Sequence, residues 1–187
     1  RQEEGIPIPK YLTDRGMLPG IKVDTGAKPL AGHPGETVTE GLDGLRERCE
    51  EYYNMGARFA KWRAVISISE NCPSAASVST NSHALARYAS ICQEQGLVPI
   101  IEPEVLMDGD HSIMECFKVT SEVLKAVYSE CRIQGVVLSG TILKPNMVLP
   151  GKESRGALAD EVAKLTCEAL QQNAVSYTHL RAHETLL

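Results

Sequence analysis

Four short apolar stretches of the chain each close on a charged residue, and the intervals between them are nearly equal. Lys22, Lys61, Glu102 and Lys144 are separated by 39, 41 and 42 positions. Between them run segments whose apolar residues recur three and four apart, the pattern of a helix with one buried side. The first carries Leu45, Cys49, Tyr52 and Met55, with Asp43 placed to cap it and Gly56 to stop it. The second opens at Pro73-Ser74, carries Val78, Leu85, Ala89 and Cys92, and ends at Gly96. The third follows DGDHS, with Ile113, Cys116, Phe117, Thr120, Val123, Leu124, Val127 and Cys131 on one side, and a last helix is expected over 155–172.

Strands are expected at GIK up to Lys22, over 59–66, over 97–105, and over 136–148, where VVLSGTILKPNMV reads as a strand buried on both faces. Pro99 and Pro103 argue against a regular strand interior over 97–105, and Glu102-Pro103-Glu104 is expected at or past the strand's end. The stretch 23–37 is rich in glycine and proline and reads as a surface loop, so no hairpin is expected. Strand, helix, strand, helix predicts parallel βαβ units. One ionisable group at the same end of every strand is the arrangement of a TIM (β/α)8 barrel, of which about four βα units are present. A doubly wound sheet is the alternative, but it gathers its chemistry at one switch point and carries a glycine fingerprint that this chain lacks.

Side chains two apart on a strand share a face, which puts Lys61 with Arg63 and Glu102 with Glu104. A barrel brings these near Lys22 and Lys144. The arrangement suits imine chemistry on an anionic sugar: a lysine amine attacks a ketone, a carboxylate moves protons, and other cations hold phosphate or a developing oxyanion. Lys144 has apolar neighbours that would desolvate its amine, so it is the expected nucleophile; Lys61, beside Arg63, suits a fixed charge. A structural layer of ion pairs remains the other reading, although buried ion pairs stabilise poorly.

The net charge of −5 gives no electrostatic reason to expect nucleic acid or an anionic membrane as partner, and no apolar run is long enough to span a bilayer. The start, RQEEGIPIPK, does not read as a signal peptide. The six cysteines have no CxxC pair, which favours reduced thiols and a cytoplasmic setting, and His33, His83 and His111 show no metal-ligand spacing.

GIKVD, ETVTEGLDGL, GARFAKWRAV, LARYASICQEQGLVPIIEPE, DGDH and GTILKPNMV together resemble class I fructose-bisphosphate aldolase, from about residue 5 to about residue 173. The resemblance implies a cytosolic glycolytic lyase, a homotetramer when full length, working on a sugar phosphate with no metal and no cofactor. It implies that Lys144 is the Schiff-base lysine, Glu102 the proton-shuttling acid and Glu104 its helper. Lys61, Arg63 and Lys22 correspond to the cationic groups around the substrate and its phosphates. The units present correspond to strands three to six. The aspartate that helps break the C3–C4 bond and one phosphate grip belong to parts of the barrel not contained here, so this chain is expected to be inactive alone. Ser139 stands where the family usually has Glu, and Thr25 where Lys is common. A transaldolase-like enzyme is a further lysine-imine alternative that KWR and EPE together disfavour. From another class, a non-catalytic phosphosugar-binding or scaffolding segment of the same fold is the second reading.

Residues 174–187 are expected to be foreign to the fold: VSYTHLRAHETLL fits no family segment and resembles translated sequencing adaptor. His179 and His183 there are four apart, a spacing compatible with a metal, but are not taken as a site.

Overall fold

The computed structural model describes residues 2–3 and 5–174. The foreign-tail expectation and the His179/His183 spacing lie outside the described residues. A small antiparallel pair, β1 (Gln2–Glu3) and β2 (Ile6–Pro7), leads into α1 (Ile8–Thr13). The main chain path continues through β3 (Gly20–Lys22), β4 (Gly26–Pro29), β5 (Thr37–Glu40), α2 (Leu45–Asn54), β6 (Phe59–Ile66), α3 (Ala75–Glu94), β7 (Val98–Val105), α4 (Ile113–Ile133), β8 (Ile142–Leu143) and α5 (Ala159–Asn173). The principal sheet is parallel in the order β3-β6-β7-β8. Sequential neighbours joined by helices, with those helices packed side by side against one sheet face, make part of a (β/α)8 barrel of about four units.

The two faces of β6 are sharply different. Ala60, Trp62, Ala64 and Ile66 are buried, while Phe59, Lys61, Arg63 and Val65 are only half-buried. The buried face packs on α3 and, through β7, on α4, with Leu85, Ala89, Cys92, Val123 and Val127 completing the core. Trp62 stacks on Tyr88 with ring centroids 5.5 Å apart. The Tyr88 hydroxyl donates to the carbonyls of Ala60 (2.8 Å) and Ile100 (3.2 Å), so one helix residue is fastened to two adjacent strands. Burial pushes its phenol well above the ordinary range, and it stays a neutral donor. Ser74 caps α3 at the N–H of Ser77 (3.1 Å), and Ser112 with Glu115 forms a reciprocal capping box on α4.

Four expectations need correction. Residues 26–40 contain the β4–β5 hairpin, antiparallel from Gly26 opposite Glu40 to Pro29 opposite Thr37. Its threonines hid the strand signal because they face other backbone, not the core: Thr37 and Thr39 donate to the carbonyls of Val65 (3.3 Å) and Arg63 (2.8 Å). Asn81 on α3 holds the hairpin as well, accepting from Thr39 N–H (3.2 Å) and donating to Thr37 O (2.9 Å). Asp43 does not cap α2; Gly44 occupies that position with φ 60° and no side-chain cap bond.

Glu102-Pro103-Glu104 lies inside β7, not beyond it, in register with Arg63, Ala64 and Val65. The prolines are tolerated because of which way their nitrogens point. Val98 N–H and Leu106 N–H bond toward the β6 side, to Arg58 O (3.0 Å) and Ile66 O (2.9 Å). Pro99 and Pro103 belong to the opposite row, which faces β8, where pairing is confined to Ile100–Ile142 and Ile101–Leu143.

The longest correction concerns 136–148. Only Ile142 and Leu143 join the sheet, after a 3-10 turn at Leu138–Gly140, and Val137 and Ile142 are exposed. The backbone of this edge is satisfied by a side chain instead of a strand. Gln93 of α3 accepts from Val137 N–H (2.9 Å) and donates to the carbonyls of Val137 (2.8 Å) and Gly140 (3.3 Å). Beyond it, the loop after β8 is fastened to the loop after β7: Gly151 N–H bonds His111 O (2.8 Å), Lys152 N–H bonds Met107 O (2.8 Å) and Glu153 N–H bonds Gly109 O (3.0 Å). A Cβ at Gly151 would stand 2.2 Å from Gly109 O, so only glycine fits there.

Among the described residues, β3 and β8 each have one edge without a strand partner. Open edges leave rows of unpaired backbone groups, and the half-buried sheet face lacks cover. Residues 1–173 expressed alone should therefore lack a cooperative thermal transition, since a typical domain has only about 5–15 kcal/mol of net stability to lose. Calorimetry with size-exclusion chromatography checks this; a single cooperative transition from a sharp monomer peak would contradict it.

Candidate active site

Alternation along the strands places every candidate side chain on the sheet face opposite the helices. Lys61 and Arg63 alternate with the buried Ala60, Trp62 and Ala64, which fixes their direction. Glu102 and Glu104 alternate with Ile101, Pro103 and Val105 in the same way. The register sets Lys22 beside Lys61 and Arg63 beside Glu102, while Lys144 follows β8 directly.

Glu102 is the centre of the arrangement, its side chain 3% exposed. Lys144 Nζ donates to its Oε1, and Lys61 Nζ lies 2.8 Å from its Oε2. One carboxylate thus bridges two ammonium groups drawn from the strands on either side. Burial alone would raise the pKa of this carboxyl, but the hydrogen bonds and charges of Lys144 and Lys61 outweigh it and hold Glu102 below the ordinary glutamate value of 4.5. Arg63 pairs with Glu104 through both Nε and Nη2. The sequence-predicted Lys61, Arg63, Glu102, Glu104 and Lys144 are therefore one contiguous group.

Lys22 stands at its margin. Its ammonium is held 2.5 Å from Asp24 Oδ1, and also reaches the Asp24 carbonyl at 3.2 Å, so it does not join the Glu102 pair. Asp24 is buried and accepts from Gly26 N–H at Oδ1 (3.0 Å) and from Arg63 N–H at Oδ2 (3.3 Å). Sequence reasoning missed this residue. The signal is present in GIKVD, since residues two apart on an extended chain share a side, but the glycines and prolines that follow make Asp24 read as part of the 23–37 loop.

The environment of Lys144 also differs from expectation. Its side chain is 56% exposed, and Ile142 before it is exposed too. The apolar strand does not desolvate the amine, because it is an edge segment with the Glu102 carboxylate as its main neighbour. The histidines are elsewhere. His33 sits 3.5 Å from Glu36, His83 3.0 Å from Glu130, and His111 is buried with both ring nitrogens unpartnered. Among the described residues, no group of three or more His, Cys, Asp or Glu side chains is placed to hold a metal ion.

Glu102 thus bridges a lysine inside β6 and a lysine just beyond β8 on the open sheet face. The family model described as Fructose-bisphosphate aldolase class-I matches residues 1–177. The chain belongs to the class I fructose-bisphosphate aldolase family. Among its relatives, a Xanthomonas campestris protein described as probable fructose-bisphosphate aldolase class 1 is 58% identical over 172 residues, covering 91% of this chain and 52% of that protein. Arabidopsis thaliana fructose-bisphosphate aldolase 6, cytosolic, is 53% identical over 172 residues, covering 92% and 48%. A solved structure of the Plasmodium falciparum aldolase superposes with a TM-score of 0.89 at 45% identity, covering 92% of this chain and 51% of that one. The chain spans about half the length of the curated relatives it matches.

Because Glu102 is held below its unfolded value, its pairing stabilises the fold fully above about pH 4.5 and is lost as pH falls through the depressed folded value. In a full-length protein carrying this segment, Glu102→Gln should flatten the loss of stability between pH 5 and pH 3, a range estimated as about one unit either side of the carboxyl transition. Urea denaturation at stepped pH reads the slope; equal acid limbs in wild type and variant would contradict the assignment.

Proposed function

We propose that the full protein to which residues 1–173 belong is a Schiff-base lyase that cleaves fructose 1,6-bisphosphate into dihydroxyacetone phosphate and glyceraldehyde 3-phosphate. The carrying observation is the Lys144–Glu102–Lys61 bridge. Glu102 Oε1 takes a proton from the Lys144 ammonium, freeing the amine to attack the C2 carbonyl. The same carboxyl then returns the proton to the carbinolamine hydroxyl, which leaves as water, and the iminium remains. Consumption of the Lys144 ammonium removes one of the two charges that hold Glu102 low, so the carboxyl becomes more basic when it must carry the proton. Lys61 keeps Oε2 in place throughout. Removal of the C4 hydroxyl proton by a base outside residues 1–173 then breaks C3–C4, releases C4 as the aldehyde of glyceraldehyde 3-phosphate, and sends the bond's electron pair into the iminium, giving an enamine.

Glu104, paired with Arg63, is assigned as helper in imine formation, and Arg63 and Lys22 as cationic contacts for substrate phosphate. Their placement on the same face supports these roles. Relatives named cytosolic and cytoplasmic support a cytoplasmic location, and no helix among the described residues is long and apolar enough to cross a membrane. A homotetramer and a foreign segment at 174–187 complete the proposal.

In the full-length protein, Lys144→Met should abolish the borohydride-stable adduct with dihydroxyacetone phosphate and leave the fold intact. An adduct at the wild-type rate would move the nucleophile to another lysine, and no adduct in the wild type would favour a non-catalytic sugar-phosphate binder. Glu102→Gln should lower kcat by on the order of 100- to 10,000-fold, with a smaller effect on KM. Unchanged kcat with raised KM in steady-state assays would remove the proton-shuttle role.

A further inference from the structure

Backbone pairing does little to hold Lys144. β8 is two residues long, and the residue after Lys144 is Pro145, which has no N–H. The Lys144 N–H bonds Ile101 O (2.9 Å), and there the ladder stops. What continues it is the side chain of Asn146. Its Oδ1 accepts from Val105 N–H (3.2 Å), and its Nδ2 donates to Thr120 Oγ1 (3.1 Å) and to Met147 O (3.0 Å). Val105 N–H belongs to the row of β7 that faces β8, so the amide replaces the strand bond that a longer β8 would have made. A backbone N–H can only donate, which fixes the orientation of the amide. Thr120 is buried on α4, so the second bond ties the segment to the helical layer.

We infer that Asn146 is a positioning residue for Lys144, setting the reach of its amine to Glu102 by fastening the chain immediately beyond it to both β7 and α4. The inference rests on the Schiff-base role proposed for Lys144. A lysine stem has many rotamers, and this one is half in solvent with Glu102 as its ion-pair partner, so the stem alone does not fix where its Nζ lies. The backbone anchor therefore sets the geometry. Misplacement of a reacting group by about 1 Å can cost on the order of 100-fold in rate. The Asn146 side chain hydrogen-bonds Val105, Thr120 and Met147, not Lys144 or Glu102, and acts by holding the backbone.

The test uses a full-length protein carrying this segment, with Asn146→Ala, Asn146→Asp and Thr120→Val. Single-turnover borohydride trapping with dihydroxyacetone phosphate, kcat, KM and urea stability are read for each. Asn146→Ala should slow trapping and lower kcat by about 10- to 100-fold, with KM changed by less than about 3-fold. Asn146→Asp keeps an acceptor for Val105 N–H but has no donor for Thr120, so it should recover part of the rate. Thr120→Val preserves volume and removes one tie, and should slow trapping a few-fold in the same direction. A folded Asn146→Ala that traps at the wild-type rate, or whose loss lies wholly in KM, overturns the inference. If Asn146→Ala does not fold, Thr120→Val decides: wild-type trapping overturns the inference and slowed trapping at unchanged KM supports it. Absence of an adduct in the wild type overturns the Schiff-base reading and this inference with it, whereas a wild-type adduct with unaffected variants overturns this inference alone.

Discussion

A buried carboxylate must be compensated, and at Glu102 that requirement organises three strands. Left alone on the sheet face, the ion would carry a desolvation cost of several kcal/mol. Lys61 from β6 and Lys144 from beyond β8 meet its two oxygens separately. The pairing requires β6 and β8 to flank β7, and requires Lys61 and Lys144 to lie within two register positions of Glu102. The parallel register delivers this, with Lys61 opposite Ile100 and Ile101 opposite Leu143. The helical side has a complementary task. Trp62 and Tyr88 fill the space behind the lysine-bearing strand, and the Tyr88 hydroxyl spans the β6 and β7 carbonyls. A rigid back and a compensated front together hold a reactive group in reach of its proton carrier.

β6 was legible to the residue, Phe59–Ile66, because its faces alternate strictly, with Ala60, Trp62, Ala64 and Ile66 toward the helices and both charges, Lys61 and Arg63, away. The capped helices α3 and α4 were legible for the same kind of reason, since Ser74 and Ser112 satisfy helix N–H groups locally. Elements held by side chains were not. Gln93 and Asn146 stand in for strand partners, and neither leaves a periodic trace in the segment it supports. The apolar run over 136–148 therefore reads in sequence as a full buried strand. The hairpin of β4 and β5 was overlooked because its anchoring groups are threonine hydroxyls and an asparagine on a distant helix.

At the site, the near-equal spacing of charged residues was enough to collect Lys61, Arg63, Glu102, Glu104 and Lys144 on one face, although Lys61 and Glu102 lie inside β6 and β7 and not at their ends. It was not enough to say how they pair. Lys22 lies in register with Lys61 yet is engaged by Asp24, a partner two residues along its own chain. The expected apolar surroundings of Lys144 were an inference from composition alone. A neighbouring carboxylate from another strand is a tertiary fact, and it changes the amine's environment from dry to charged.

The interlocked loops beyond β7 and β8 carry a consequence of another kind. Three backbone bonds join Met107, Gly109 and His111 to 151–153, and the fit at Gly151 leaves no room for a side chain. The two loops cannot drift apart in length. An insertion or deletion in one shifts the donors of 151–153 past their acceptors and drives backbone against backbone at Gly109. In descent from a common ancestor, changes of loop length on this part of the rim should come as matched pairs, leaving the sequences of the two loops tied to each other more tightly than either is to the helix that follows it.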